Sequence, residues 1–190
     1  MPEDSADLVV PAGPANLRHW RPEDALGLAT QANDRRIWLG LRDAFPSPYL
    51  EEDGRRFLAM EAAMSPRTYF AIDVDGTIAG GIGYTLKDDV ERIGAEVGYW
   101  LGVRYWGRGI ATAALAALTR HAFRVHPELR RLWAVPLASN PASGRVLEKA
   151  GYRREGTMRQ SAIKNGQVHD QWLYAIVRDD LSANESDAAH

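Results

Sequence analysis

The sequence predicts an α/β fold: a single mixed, mostly antiparallel, twisted sheet of about six to seven strands with helices on both faces. Three observations predict it. β-rich runs are joined by Asp75-Gly76 and Asn165-Gly166, dipeptides that suit the tight turn of a hairpin. An apolar and aromatic run over residues 97–103 passes through Gly107 and Gly109 into an alanine- and leucine-rich run from Ile110. A second apolar run, 131–135, follows it, and strand, helix, strand in that order makes a crossover between parallel strands.

The elements follow in order. Residues 1–14 are acidic and proline-punctuated and read as a disordered tail. Residues 17–20 suit a short first strand. Arg21-Pro22-Glu23-Asp24 opens a helix, with proline early and acids in the first turn, and Ala25, Leu28, Ala29 and Ala32 recur at helical spacing. In residues 37–50, Trp38, Leu39, Leu41, Phe45 and Tyr49 are interleaved with Pro46 and Pro48, which forbid a regular helix there. Such a segment either plugs a core or lines a pocket. A helix starts at Leu50-Glu51-Glu52-Asp53, turns Phe57, Leu58 and Ala62 inward, and ends at Ser65-Pro66. Strands 68–74 and 77–86 flank Asp75-Gly76, and Gly80, Gly81 and Gly83 mark close backbone approach or a bulge. A polar turn leads into the next strand, which pairs with its predecessor. The central helix spans 109–125, with Ala111, Leu115, Leu118, Ala122 and Val125 facing in and Pro127 stopping it. Asn140 suits an N-cap with Pro141 behind it, and Lys149-Ala150-Gly151 ends that helix. Strands 152–160 and 169–177 close a domain spanning 15–181, and 182–190 form a polar tail.

Composition narrows the function. The 190 residues suit one domain, and a formal net charge of −2 argues against non-specific nucleic-acid binding. No apolar run reaches the ~18 residues of a membrane span, so no membrane partner is expected. The chain has no cysteine, which removes disulfides, thiolate metal sites and a cysteine nucleophile and fits a cytoplasmic location. Its five histidines show no ligand spacing, so no metal is expected. A homodimer is compatible with the sequence, which marks no interface.

The glycine turn carries the chemistry. A helix N-terminus presents unpaired N–H groups and the positive end of a dipole, and glycines leave no Cβ over it, so this junction suits an anion such as a phosphate. It is neither a P-loop, since Ile110 and Ala111 follow the last glycine, nor a dinucleotide fingerprint, since Thr112 stands at the third glycine position.

Residues 97–111 and the alanine-rich run behind them resemble the acyl-CoA-binding motif of the GNAT N-acetyltransferases, Gln/Arg-x-x-Gly-x-Gly/Ala. Gly109 and Ala111 match, and Trp106 stands at the first position, as in the RimJ/RimL-like subgroup that acetylates the N-termini of ribosomal proteins. Leu41–Tyr49, Asn140-Pro141-Ala142-Ser143 running into Leu147–Tyr152, and His169–Tyr174 also resemble that subgroup. The resemblance implies acetyl-CoA as co-substrate and a primary amine as acceptor, attacking the thioester directly in a ternary complex. It implies that Trp106, Gly107, Arg108, Gly109, Ile110, Ala111 and Thr112 hold the pyrophosphate. Tyr99, Trp100 and Leu101 offer backbone to the pantetheine arm, Asn140 contacts that arm, and Ser143 lies near the sulfur, where its hydroxyl donates to the leaving thiolate. Arg104, Arg108 and Arg145 either touch CoA phosphates or are solvated.

This chain departs from many relatives in two places: Leu147 stands where they carry a tyrosine acid, and Val135 where some carry a glutamate base. A base is then sought at Glu96 first, and at Asp170 or His169 second, against the alternative of a salt bridge or a solvated strand end. The acceptor pocket is assigned to Trp38, Phe45, Tyr49 and Trp172. With no obvious strong base, an α-amine of pKa about 7.7–8.0 suits the site better than a lysine at about 10.4, because only a neutral amine attacks. The competing reading is an acyl-CoA-binding sensor without turnover.

Overall fold

The computed structural model describes residues 8–181. Its strands are β1 (Val9–Ala12), β2 (Ala15–His19), β3 (Tyr69–Val74), β4 (Thr77–Leu86), β5 (Gly94–Leu101), β6 (Arg131–Ala134), β7 (Arg153–Lys164) and β8 (Gln167–Val177). Its helices are α1 (Ala25–Ala32), α2 (Arg35–Trp38), α3 (Glu51–Ala62), α4 (Ile110–Val125) and α5 (Pro141–Lys149). The strands form one sheet in the order β1-β2-β3-β4-β5-β6-β8-β7. Neighbours run antiparallel except β5 and β6, which are parallel and joined through α4.

The sheet has eight strands rather than six to seven. The addition is β1, which lies within the expected tail. Its Pro11 is tolerated because β1 is an edge strand. Ala12 is buried, and at the turn after it a Cβ on Gly13 would sit 3.2 Å from Ala113 Cβ of α4. Burial against α4 therefore recruits a segment whose composition reads as loose. Residues 1–7 and the expected tail 182–190 lie outside the described residues.

Two apolar layers cover the sheet, and alternation along β3 separates them. Phe70, Ile72 and Val74 join Leu115, Leu118 and Ala122 of α4 on one face. Ala71 joins Leu28 of α1 and Leu58 of α3 on the other. Within α4, Ala111 and Val125 are only half-buried, while Ala114, Ala117 and Phe123 are buried. In α3 the inward residue near the C-terminus is Glu61 instead of Ala62. Its carboxylate is fully buried because Arg67 donates to both oxygens, at 2.9 and 2.6 Å.

The irregular stretch after α2 is in part a core plug. Tyr49 is buried with α1 and α3, its backbone N–H donates to Asn33 Oδ1 at 3.1 Å, and Phe45 packs between Tyr49 and Trp100. Gly80 and Gly81 of β4 answer to close approach on β5: a Cβ on Gly80 would stand 2.2 Å from the Trp100 carbonyl oxygen, and one on Gly81 2.7 Å from the Trp100 indole nitrogen; one on Gly83 would instead stand 2.5 Å from the Tyr69 ring of β3. The β3–β4 register also shifts at Ile72/Asp73.

What positions the site is a splay. β5 pairs with β6 at Gly94, Ala95 and Glu96, and β6 ends at Ala134. β5 continues to Leu101 with only β4 beside it.

Candidate functional site

The splay opens a cleft of about 660 Å³. One wall is Tyr99, Trp100 and Leu101 of β5. Its floor at one end is the turn into α4, and the opposite wall is the first turns of α5 with Asn140 and Ser143. α2, the segment after it and the tip of the β7–β8 hairpin close the rim.

Alternation decides what β5 shows the cleft. The Gly102 N–H donates to the Ala79 carbonyl of β4 at 2.7 Å, so residues 100 and 98 also turn their main-chain groups to β4. Tyr99 and Leu101 then turn theirs to the side that β6 has left. Trp106 Nε1 takes the Leu101 carbonyl at 2.7 Å, which pins the turn to the strand end.

At the other end, Gly107 and Gly109 have φ of +72° and +74°, the left-handed region that glycine tolerates. A Cβ on either would meet no heavy atom within 4 Å, so the space above the turn is open. Gly109 is the N-cap of the 16-residue α4, and no side chain caps it. The first N–H groups of that helix and its dipole therefore face the cleft. The lining side chains include Arg36, Arg145, Lys149 and Lys164 and, among the described residues, no carboxylate, although the chain as a whole is slightly acidic. An anion fits this end.

On α5, Asn140 caps the helix: its Oδ1 accepts from the Ser143 N–H at 3.2 Å. Its amide nitrogen faces Gly40, where a Cβ would come within 2.8 Å. The Tyr99 hydroxyl lies 2.8 Å from Ser143 Oγ and donates to the Ser143 carbonyl at 3.1 Å. Burial pushes the Tyr99 phenol far above its ordinary pKa, so it stays protonated.

The acetyltransferase (GNAT) domain matches residues 15–153. The chain belongs to the GNAT acetyltransferase family. It is 36% identical over 104 residues to YdaF of Bacillus subtilis, a match covering 55% of this chain and 56% of that protein. It is 32% identical over 132 residues to the ribosomal-protein-serine acetyltransferase of Escherichia coli, covering 68% of this chain and 73% of that one. Among solved structures, Mycobacterium smegmatis RimJ in complex with CoA-disulfide superposes with a TM-score of 0.80 at 26% identity, over 95% of this chain and 92% of that one.

Against this GNAT frame, the expected CoA residues gather well. Tyr99, Trp100, Leu101, Trp106, Gly107, Gly109, Ile110, Ala111, Thr112, Asn140 and Ser143 all line the cleft. Arg108 does not; its guanidinium lies 5.7 Å from the Tyr105 ring centroid, and Arg104 stacks on the same ring at 4.8 Å. Arg145 does line it.

The expected bases and acceptor residues gather poorly. Glu96 is held by Arg42 and, at 3.3 Å, by Lys87, and it does not line the cleft. Asp170 Oδ1 accepts from the Gln160 N–H at 2.8 Å, serving the bulge where β7 and β8 change register. Of the three candidate bases only His169 lines the cleft. Tyr49 is core, with Phe45 packed on it. Trp38 lies under Lys164, whose Nζ stands 3.6 Å from its ring centroid. Trp172 packs beneath α5, where a Cβ on Gly144 would be 3.1 Å away, with Arg154 over its ring at 4.4 Å. Both tryptophans are half-buried, and neither lines the cleft. Leu147 is fully buried.

Sequence reasoning missed the rim. Arg36, Lys164 and Gln167 line the cleft, and no motif marks them; Lys149 lines it too, from a stretch read only for its resemblance and as a helix end. Lys164, at the hairpin tip, is nearly buried and paired with Asp43 at 2.7 Å.

Proposed function

We propose that this chain moves the acetyl group of acetyl-CoA to a primary amine, either the α-amine of a protein N-terminus or a small-molecule amine of similarly low pKa. One observation carries the reading. The strand edge at Tyr99–Leu101, the open glycine turn into α4 and the Ser143 hydroxyl face one cleft with cationic walls.

The α4 turn would hold the pyrophosphate, with Arg145 and Lys149 adding charge. The free edge of β5 would pair with the pantetheine arm as an added strand. The amine nitrogen then attacks the thioester carbonyl carbon. The C–N bond forms, the C–S bond breaks, and its electron pair leaves on sulfur, where Ser143 donates a hydrogen bond. The amine proton passes to His169 or to a water beside it. A backbone N–H at Leu101 would meet the developing oxyanion, a contribution of about 2.7–4 kcal/mol in comparable sites.

The likeness to the Escherichia coli ribosomal-protein-serine acetyltransferase supports an N-terminal acceptor. A second reading has its own support: among the described residues no carboxylate lines the cleft, as expected of a module that binds acyl-CoA without turnover. Thiol release from acetyl-CoA over a panel of α-amine peptides, lysine peptides and small amines separates the two. Release at neutral pH, faster with α-amines than with lysine, is expected. Tight CoA binding without release from any amine would establish the sensor instead, and equal rates on lysine would overturn the α-amine preference.

A further inference from the structure

We propose that Tyr99, through its side chain, is the positioning residue that aims the Ser143 hydroxyl at the sulfur of coenzyme A. The inference rests on the acyl-CoA reading of the cleft and goes beyond the backbone role assigned above to β5.

The geometry is specific. Tyr99 and Ser143 lie on opposite walls of the cleft, one on β5 and one in the first turn of α5. Their hydroxyls meet at 2.8 Å, and the same phenol reaches the Ser143 carbonyl at 3.1 Å. A serine near the start of a helix has several staggered rotamers of similar energy. A fixed phenol at hydrogen-bond distance selects one of them. Each hydroxyl has one proton and two lone pairs. The phenol lies within reach of both the Ser143 Oγ and the Ser143 carbonyl, and its one proton, shared between them as a three-centre bond, leaves the serine's own proton for the cleft.

The phenol's surroundings keep it a donor. Tyr174 and Tyr152 are its electrostatic neighbours, and their hydroxyls are engaged by Glu148 and Thr119. The charged and titratable side chains lining the cleft, among the described residues, are Arg36, Tyr99, Tyr105, Arg145, Lys149, Lys164 and His169; none is a carboxylate that would compete for the Ser143 proton. No proton leaves Tyr99 in the reaction. The electron pair of the broken C–S bond stays on sulfur, and Ser143 holds it by a hydrogen bond whose direction Tyr99 sets.

The test uses the full chain with CoA alone, so it needs no acceptor. Ionisation of the bound thiol is read by its thiolate absorbance, with desulfo-CoA as the blank, in the parent protein, Tyr99→Phe, Ser143→Ala and the double variant. Phenylalanine keeps the ring, and thermal melting and CoA affinity check that fold and cleft are intact. Expected are unchanged CoA affinity, about tenfold less thiolate at a given pH in each single variant, and no further loss in the double variant, because the two residues act as one unit. Where transfer is measurable, Tyr99→Phe lowers kcat by about tenfold and leaves KM for acetyl-CoA unchanged. Thiolate in Tyr99→Phe equal to the parent, or additive losses in the double variant, overturns the proposal while the transferase reading stands. Coupled losses of thiolate in a protein that acetylates no amine would uphold the pair and overturn the transferase reading.

Discussion

His121 shows how burial tunes a single side chain away from the site. It sits on the inward face of α4 with its ring edge-on to Phe70 at 5.5 Å, and Arg124 donates to its Nδ1 at 3.1 Å. Burial, followed by the Arg124 charge, lowers its pKa from 6.5 to about 4. Between those values the unfolded chain binds more protons than the folded one, so stability rises with pH across that window and is lost as pH falls through it. Melting temperature measured from pH 7 to pH 4 should therefore drop, and His121→Gln should flatten that slope. An unchanged slope would mean that other groups carry the acid sensitivity. The histidine is legible in the sequence only as a helical residue one turn before Arg124; the burial that keeps it neutral comes from packing against Phe70 of β3 and its neighbours.

The element that matters most is the junction of β5 and α4. Its strand, turn and helix can be read from local composition alone, because aromatic residues, positive-φ glycines and alanines each have one backbone habit. Gly109→Ala tests it. Forcing a Cβ into the left-handed region costs about 1–2 kcal/mol of stability, and the methyl stands in the open space where the anion would sit. The expected outcome is a modestly lower melting temperature with at least about tenfold weaker CoA binding by calorimetry; unaltered affinity would remove the α4 turn from the site. The Asn140 cap is legible for the same local reason. The base is not. Glu96, Asp170 and His169 look alike in a sequence, and only Arg42, Lys87 and the bulge at Gln160 show that the two carboxylates are already engaged.

Across the whole molecule, charge is sorted by the fold. A net charge of −2 conceals a cleft walled by Arg36, Arg145, Lys149 and Lys164, drawn from α2, α5 and β7, of which Arg36 and Lys164 are paired with Asp34 and Asp43. Replacing Arg145 and Lys149 together by glutamine should weaken CoA binding by about tenfold at low salt, and the difference should shrink as ionic strength rises. A salt-independent loss would point to packing instead of charge. By itself the sequence determined the hairpins, the glycine turn and the helix cap, since each rests on interactions among residues close in the chain, and the parallel crossover followed from the order of its elements. Only the tertiary structure decided that Val9–Ala12 joins the sheet, that Tyr49 enters the core while Trp38 and Trp172 stay off the cleft lining, and that Tyr99 meets Ser143. Those outcomes depend on burial and hydrogen bonding between segments far apart in the chain, and local composition holds no record of which distant surface a residue will meet.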